Sequence, residues 1–127
     1  MKIVALFSFL LLLVTTAGAQ DIDRLNCANA QTQLEMNMCA AQSFHKADAE
    51  LNKVYNTVIT KLNPEGKALL VKAQRSWLNV RDNHCGLYEQ FYSGGSMMPL
   101  MLYTCKTELT ENRTKELRML LEEVEER

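Results

Sequence analysis

Apolar residues recur at intervals of three and four along most of the chain after residue 32, the spacing that lines one face of an α-helix. In the first such run Phe44, Leu51, Tyr55, Val58, Ile59 and Leu62 share a side. Its start is marked by Thr32 followed by Glu35, a capping box in which each side chain accepts from the other residue's orphan backbone N–H. The segment "NPEG" at 63–66 ends the run. Pro64 lacks an N–H and suits the first turn of a second helix capped by Asn63, predicted to extend to about Cys85. The connection that follows, "GLYEQFYSGGSMMP", exceeds a tight helix–helix turn. Gly94 and Gly95 form its apex, and Ser96 is positioned to cap a third helix with Pro99 in its first turn. That helix carries Met98, Met101, Leu102, Cys105, Leu109, Leu117, Leu120 and Val124 on one broad face. Strand-like alternation, internal repeats and Pro/Gly/Ser-rich linkers are absent. The predicted fold is all-α: an antiparallel hairpin of two helices with a third packed across it.

The beginning of the chain follows a different pattern. Lys2 precedes an almost wholly apolar stretch from Ile3 to Val14, and Ala17-Gly18-Ala19 is a small-residue cleavage pattern. Together these read as a secretory signal peptide over residues 1–19, with one helical domain over residues 20–127. The apolar stretch is shorter than the roughly 20 residues needed to span a bilayer. Position 20 is Gln rather than Cys, so the expected mature end offers no thiol for lipid attachment and no membrane anchor is expected. Loss of Lys2 would take the formal net charge from −1 to about −2, which gives no basic surface for nucleic acid. Glu122, Glu123, Glu125 and Glu126 crowd the last turns, where they could attract a cationic partner.

A domain of this size buries a limited fraction of its surface, and covalent staples help it. All four cysteines follow the cleavage pattern, an even count that in an exported chain suggests two disulfides. On one continuous helix Cys27 and Cys39 would stand about 18 Å apart, beyond disulfide reach. A helix that starts after Thr32 removes the difficulty, because an extended 27–31 segment can run back beside its first turns. Cys85 and Cys105 would then close the long connection. Of the three possible pairings the sequential one is expected. Zinc is not expected: there is no C-x-x-C, and neither His45 nor His84 lies at ligand spacing from another candidate. No cofactor is expected.

One polar feature needs an explanation. Leu70, Ala73, Gln74, Trp77, Arg81 and His84 share a side of the second helix, so a glutamine and an arginine stand where aliphatic residues are ordinary. Folding the two helices at 63–64 brings Asp48 and Arg81 to nearly the same height. The expectation is a structural ion pair between them beside Trp77, fixing the register of the hairpin. Arg75 and Asp82, predicted to point toward the flank, remain candidates for partner binding.

No reacting constellation emerges. There is no H-E-x-x-H, Gly-rich phosphate loop or dinucleotide fingerprint, and neither histidine has a nucleophilic serine in a motif beside it. The methionines at 97, 98 and 101 follow the spacing of the third helix and read as packing. "NRT" at 112–114 matches a glycosylation sequon within a helical pattern. An enzyme is not expected.

Several segments, taken in order, are informative in combination: "CANAQTQLEMNMCA" from Cys27, "KADAELNKVY" from Lys46, "AQRSWLNVRDNHC" from Ala73, "GGS" at 94–96 and "CKTELTENRTKEL" from Cys105. The combined pattern resembles the lysozyme-inhibitor LprI N-terminal domain family of small exported bacterial helical domains, over nearly all of the chain after residue 19. The resemblance implies an extracytoplasmic, periplasmic or secreted protein that binds lysozyme. An inhibitor of that kind would present a protruding loop to a cleft lined by two carboxylates. The candidates are Ser93, Gly94, Gly95 and Ser96, with Tyr88, Phe91 and Tyr92 as aromatic anchors and the Cys85–Cys105 bridge holding the base. The alternative is an envelope accessory domain that recognises another protein or a peptidoglycan fragment.

Overall fold

The computed structural model describes residues 25–127, so the expected signal segment lies outside the described residues. Three long helices account for nearly all of it: α1 (Gln33–Lys61), α2 (Pro64–Phe91) and α3 (Met98–Glu125), preceded by a short 3-10 turn at Cys27–Asn29. The helix starts follow the local chemistry. The Thr32–Glu35 capping box opens α1, and the Asn63 side chain accepts from the N–H of Gly66 at 2.8 Å with Pro64 just inside α2. Glu35 accepts from the N–H groups of Thr32 at 2.9 Å and Gln31 at 2.8 Å. Those bonds hold its carboxyl below the usual carboxylate range.

Two boundaries differ from the sequence expectation. α2 does not stop near Cys85; it continues for more than a turn to Phe91, carrying Gly86 within it. The long connection thereby shrinks to residues 92–97. A single helical glycine costs only about 1 kcal/mol against alanine, less than packing Tyr88 and anchoring Cys85 on the same helix return. Ser96 does not cap α3. Met97 occupies that position without a side-chain cap, and backbone turn bonds such as Met98 N–H to the Gly95 carbonyl serve instead.

The helices run up, down and up, so α1 and α3 are parallel neighbours. Asn37 meets Ser96 at one end of that pair and Lys61 meets Glu125 at 3.3 Å at the other. α1 and α3 form the most extensive interface, while α1 and α2 approach each other least. The third helix therefore lies along the first instead of crossing the hairpin. Side-chain size explains the difference. Ala40 and Ala47 on α1 and Thr110 and Thr114 on α3 are buried small residues that let two backbones draw close. α2 turns Gln74, Trp77 and Arg81 inward and stands farther off.

The apolar core sits toward the α1–α2 turn. Leu51, Val54, Val58, Leu70 and Leu117 are buried there, with Tyr55, Ile59, Leu62, Trp77, Leu120 and Leu121 packed around them. Toward the other end aliphatic burial gives out and the disulfides take over. Cys27 pairs with Cys39 and Cys85 with Cys105, at Cα separations of 5.5 and 5.7 Å. The segment before α1 reaches Cys39 through the 3-10 turn, not as the extended strand expected. Each bridge thus staples the half of the bundle that lacks a greasy centre.

Candidate partner-binding surface

The polar face of α2 resolves into two clusters. Arg81, with only 8% of its side chain exposed, donates from Nη1 to Asp48 Oδ1 at 3.2 Å and from Nε to Asp82 Oδ1 at 2.9 Å. Its guanidinium lies 5.3 Å from the ring centroids of both Phe44 and Trp77, within cation–π range. Lys106 from α3 completes the group, 3.6 Å from Asp82 and 5.8 Å from the Phe44 ring centroid. Two turns down, buried Gln74 accepts from Arg113 Nε at 3.2 Å, and Arg113 reaches Glu116 at 2.7 Å. A planar cation with five donors suits this position, bonding two carboxylates while covering two rings. Asp48 and Arg81 thus meet beside Trp77, as the hairpin register requires.

This placement changes the standing of the flank residues. Asp82 is half exposed but tied to Arg81 and Lys106, whereas Arg75 is exposed on the outer side of α2. Partial burial pushes the Asp82 carboxyl up, but the hydrogen bonds and positive charges of Arg81 and Lys106 outweigh it and leave the group below the ordinary aspartate range. A lowered carboxyl stabilises the fold above its unfolded value, near 4, and loses that contribution as pH falls through the folded one. The stability difference between the wild type and Asp82→Asn, read from urea midpoints, is therefore expected to stay constant from about pH 8 to 5 and to shrink below about pH 4. Because the side chain is half in water, the difference should stay below about 1 kcal/mol.

Phe44, Lys106 and Arg113 belong to these clusters although sequence reasoning did not single them out. Phe44 lies four residues before Asp48, one helical turn, which was the available signal. Lys106 and Arg113 come from a helix whose rotation about its axis the pattern alone leaves open.

The predicted loop is short and projects from the disulfide end. Tyr92 N–H bonds to the Tyr88 carbonyl at 3.0 Å, and Gly95 N–H to the Tyr92 carbonyl at 3.0 Å. Gly94 has φ +76°, a left-handed conformation that side chains strain to adopt. Ser93, Gly94, Gly95 and Ser96 are all exposed, and the Ser96 carbonyl accepts from Asn37 Nδ2 at 2.8 Å, which ties the loop to α1. Beside it the α2 end carries an aromatic ladder: His84 to Tyr88 at 6.2 Å and Tyr88 to Phe91 at 6.4 Å between centroids. Tyr88 and Tyr92 are partly buried, whereas Phe91 is 72% exposed. The Cys85–Cys105 bridge lies two turns below.

The glutamates of the last turns do not join this surface. α3 is 28 residues long, so its C-terminus stands about 40 Å from the loop. Glu123 and Glu125 are engaged by Arg127 and Lys61 at the opposite end. Among the described residues no His/Cys/Asp/Glu group is placed to hold a metal, and no helix is long and apolar enough to cross a membrane.

Comparison with known proteins supplies the rest. The family model described as Lysozyme inhibitor LprI matches residues 26–117. The protein R02472 of Rhizobium meliloti (strain 1021), described as uncharacterized, is 38% identical over 131 residues, covering 93% of this chain and 94% of that protein. The uncharacterized protein YecT of Escherichia coli (strain K12) is 33% identical over 73 residues, covering 46% of this chain and 45% of its own. No solved structure matches.

Proposed function

Because the chain belongs to the lysozyme inhibitor LprI family, we propose that it is an exported, non-enzymatic inhibitor that binds lysozyme through the loop at the disulfide end of its bundle. The family match over residues 26–117 carries the assignment to lysozyme. The choice of surface rests on geometry: an exposed four-residue apex from Ser93 to Ser96, held at one side by Asn37 and braced by the Cys85–Cys105 bridge. A loop already ordered before contact loses little entropy on binding. Tyr88 and Tyr92 stiffen its base, and the small, uncharged Ser-Gly-Gly-Ser tip fits a narrow cleft whose catalytic carboxylates would repel an acidic one.

The test is a turbidity assay on bacterial cell walls with lysozymes of several structural types. Inhibition of at least one type at near-stoichiometric amounts is expected. Ser93→Glu combined with Ser96→Glu should raise the concentration for half-inhibition by about tenfold or more, since each mismatched charge at a desolvated contact costs more than about 1 kcal/mol. Both serines are exposed, so the fold is retained. Unaltered inhibition by the double variant would rule out the loop, and no inhibition of any type would rule out the reading.

A further inference from the structure

The backbone bonds that shape the apex are local. Tyr92 N–H reaches the Tyr88 carbonyl, Ser93 N–H that of Gln90, Gly95 N–H that of Tyr92 and Met98 N–H that of Gly95. Those bonds fold the turn, but they leave its tilt over the end of the bundle open. Among the described residues one hydrogen bond joins the 93–96 apex to a distant part of the chain. Asn37 Nδ2 donates to the Ser96 carbonyl at 2.8 Å, across 59 positions of sequence.

Asn37 does not keep that orientation alone. An amide has a donor end and an acceptor end, and half a rotation exchanges them. Gln33, one helical turn earlier, donates from Nε2 to Asn37 Oδ1 at 2.9 Å, which leaves the Nδ2 end for Ser96. The turns that carry both residues bury no side chain before Ala40; the Thr32–Glu35 capping box and the Cys27–Cys39 bridge hold them instead. We infer that these turns brace the loop, with Asn37 as a positioning residue for the Ser93–Ser96 apex and Gln33 as the group that orients it. The inference rests on the apex being the element that binds lysozyme. Asn37 need touch no lysozyme itself. It keeps the apex in the arrangement that binds, and a protein with a smaller competent fraction binds more weakly by that fraction.

Three proteins with both disulfides formed test this: the wild type, Asn37→Ala and Gln33→Glu. A carboxylate in place of the Gln33 amide can only accept, so it draws Asn37 Nδ2 to itself and turns Oδ1 toward the Ser96 carbonyl. Gln33 is the first residue of α1, where a negative charge favours the helix. Gln33→Glu should therefore loosen the apex without weakening the fold. Hydrogen exchange in the free proteins, followed by NMR, should quicken about fivefold at the Gly95 and Met98 amides in both variants, the worth of one hydrogen bond. Exchange at Val58, fully buried in the core, should not change. With a lysozyme that the wild type inhibits, association should slow by about two- to fivefold while dissociation stays nearly constant, because the bound loop makes the same contacts. Wild-type exchange rates at Gly95 and Met98 in both variants would overturn the brace, whether or not any lysozyme is inhibited. Faster exchange with unaltered association would overturn the positioning role. Faster exchange in both variants of a protein that inhibits no lysozyme would strike the inhibitor reading and support the brace.

Discussion

Replacing both Cys85 and Cys105 with alanine is expected to destabilise the protein by about 3 kcal/mol and lower its Tm by about 12 °C or more. The bridge spans 20 residues of sequence, and freeing a loop of that length returns its closure entropy to the unfolded chain. Cys85 is fully buried, so the truncated side chains also leave a small void. Cys27 and Cys39 make the instructive control. Their separation of 12 residues gives nearly the same closure entropy on paper. That bridge, however, tethers only a short 3-10 turn whose residues are mostly exposed. Once cut, the segment gains freedom in the native state as well, and much of the difference cancels. Thermal melts of the two double-alanine variants should therefore separate, with the Cys27/Cys39 protein losing less than half as much. Equal losses would mean that the first turn of α1 is as essential to the bundle as the α2–α3 link.

Arg81→Ala is expected to cost about 2–4 kcal/mol, the second large effect. The substitution removes the partner of Asp48 and Asp82 and uncovers the faces of Phe44 and Trp77 together. Asp48 and Asp82 keep 37% and 50% of their side chains in contact with solvent, which limits the penalty of leaving them unpaired. Arg81→Met fills the space without the charge and should cost about 1–2 kcal/mol. Arg81→Lys should fall between the two, because an ammonium cannot bond two carboxylates in a plane while lying over two rings. In all three variants lysozyme inhibition should follow the folded fraction measured by circular dichroism. Were Arg81→Met to keep its full stability and lose inhibition, Arg81 would be a contact residue and the register argument would fail.

The hairpin could be read from the sequence because its signals are local. A capping box, a proline in a first turn and apolar spacing each act within a few residues, and they place α1 and the start of α2 correctly. Asp48 and Arg81 were predictable for a related reason: counting outward from the turn gives their heights, and a cation among core positions requires a partner. The extension of α2 through Gly86 was hidden, since the glycine, two tyrosines and Ser93 together imitate loop composition. Tyr88 on those turns is partly buried next to the Cys85–Cys105 link to α3, non-local packing that local composition does not announce. The pairing of α1 with α3 was equally obscure. Ala40, Ala47, Thr110 and Thr114 carry no pattern that distinguishes a close seam from an ordinary surface; only the partner's small residues give it meaning. For the 93–96 loop the sequence supplied position and flexibility, and the structure added the Asn37 tether and the distance to the acidic C-terminus.

The parallel seam of α1 and α3 has a consequence for how the molecule comes into being. The helices that embrace most closely are not neighbours along the chain: roughly 60 residues separate the positions that meet, and that loop must close before they touch. Of the five residues buried at the core, Leu51, Val54, Val58 and Leu70 belong to the α1–α2 hairpin, and only Leu117 comes from α3. Leu117 is thus the capstone of a cluster that the hairpin leaves open on one side, and the greasy faces of α1 and α2 stay wet until α3 swings home.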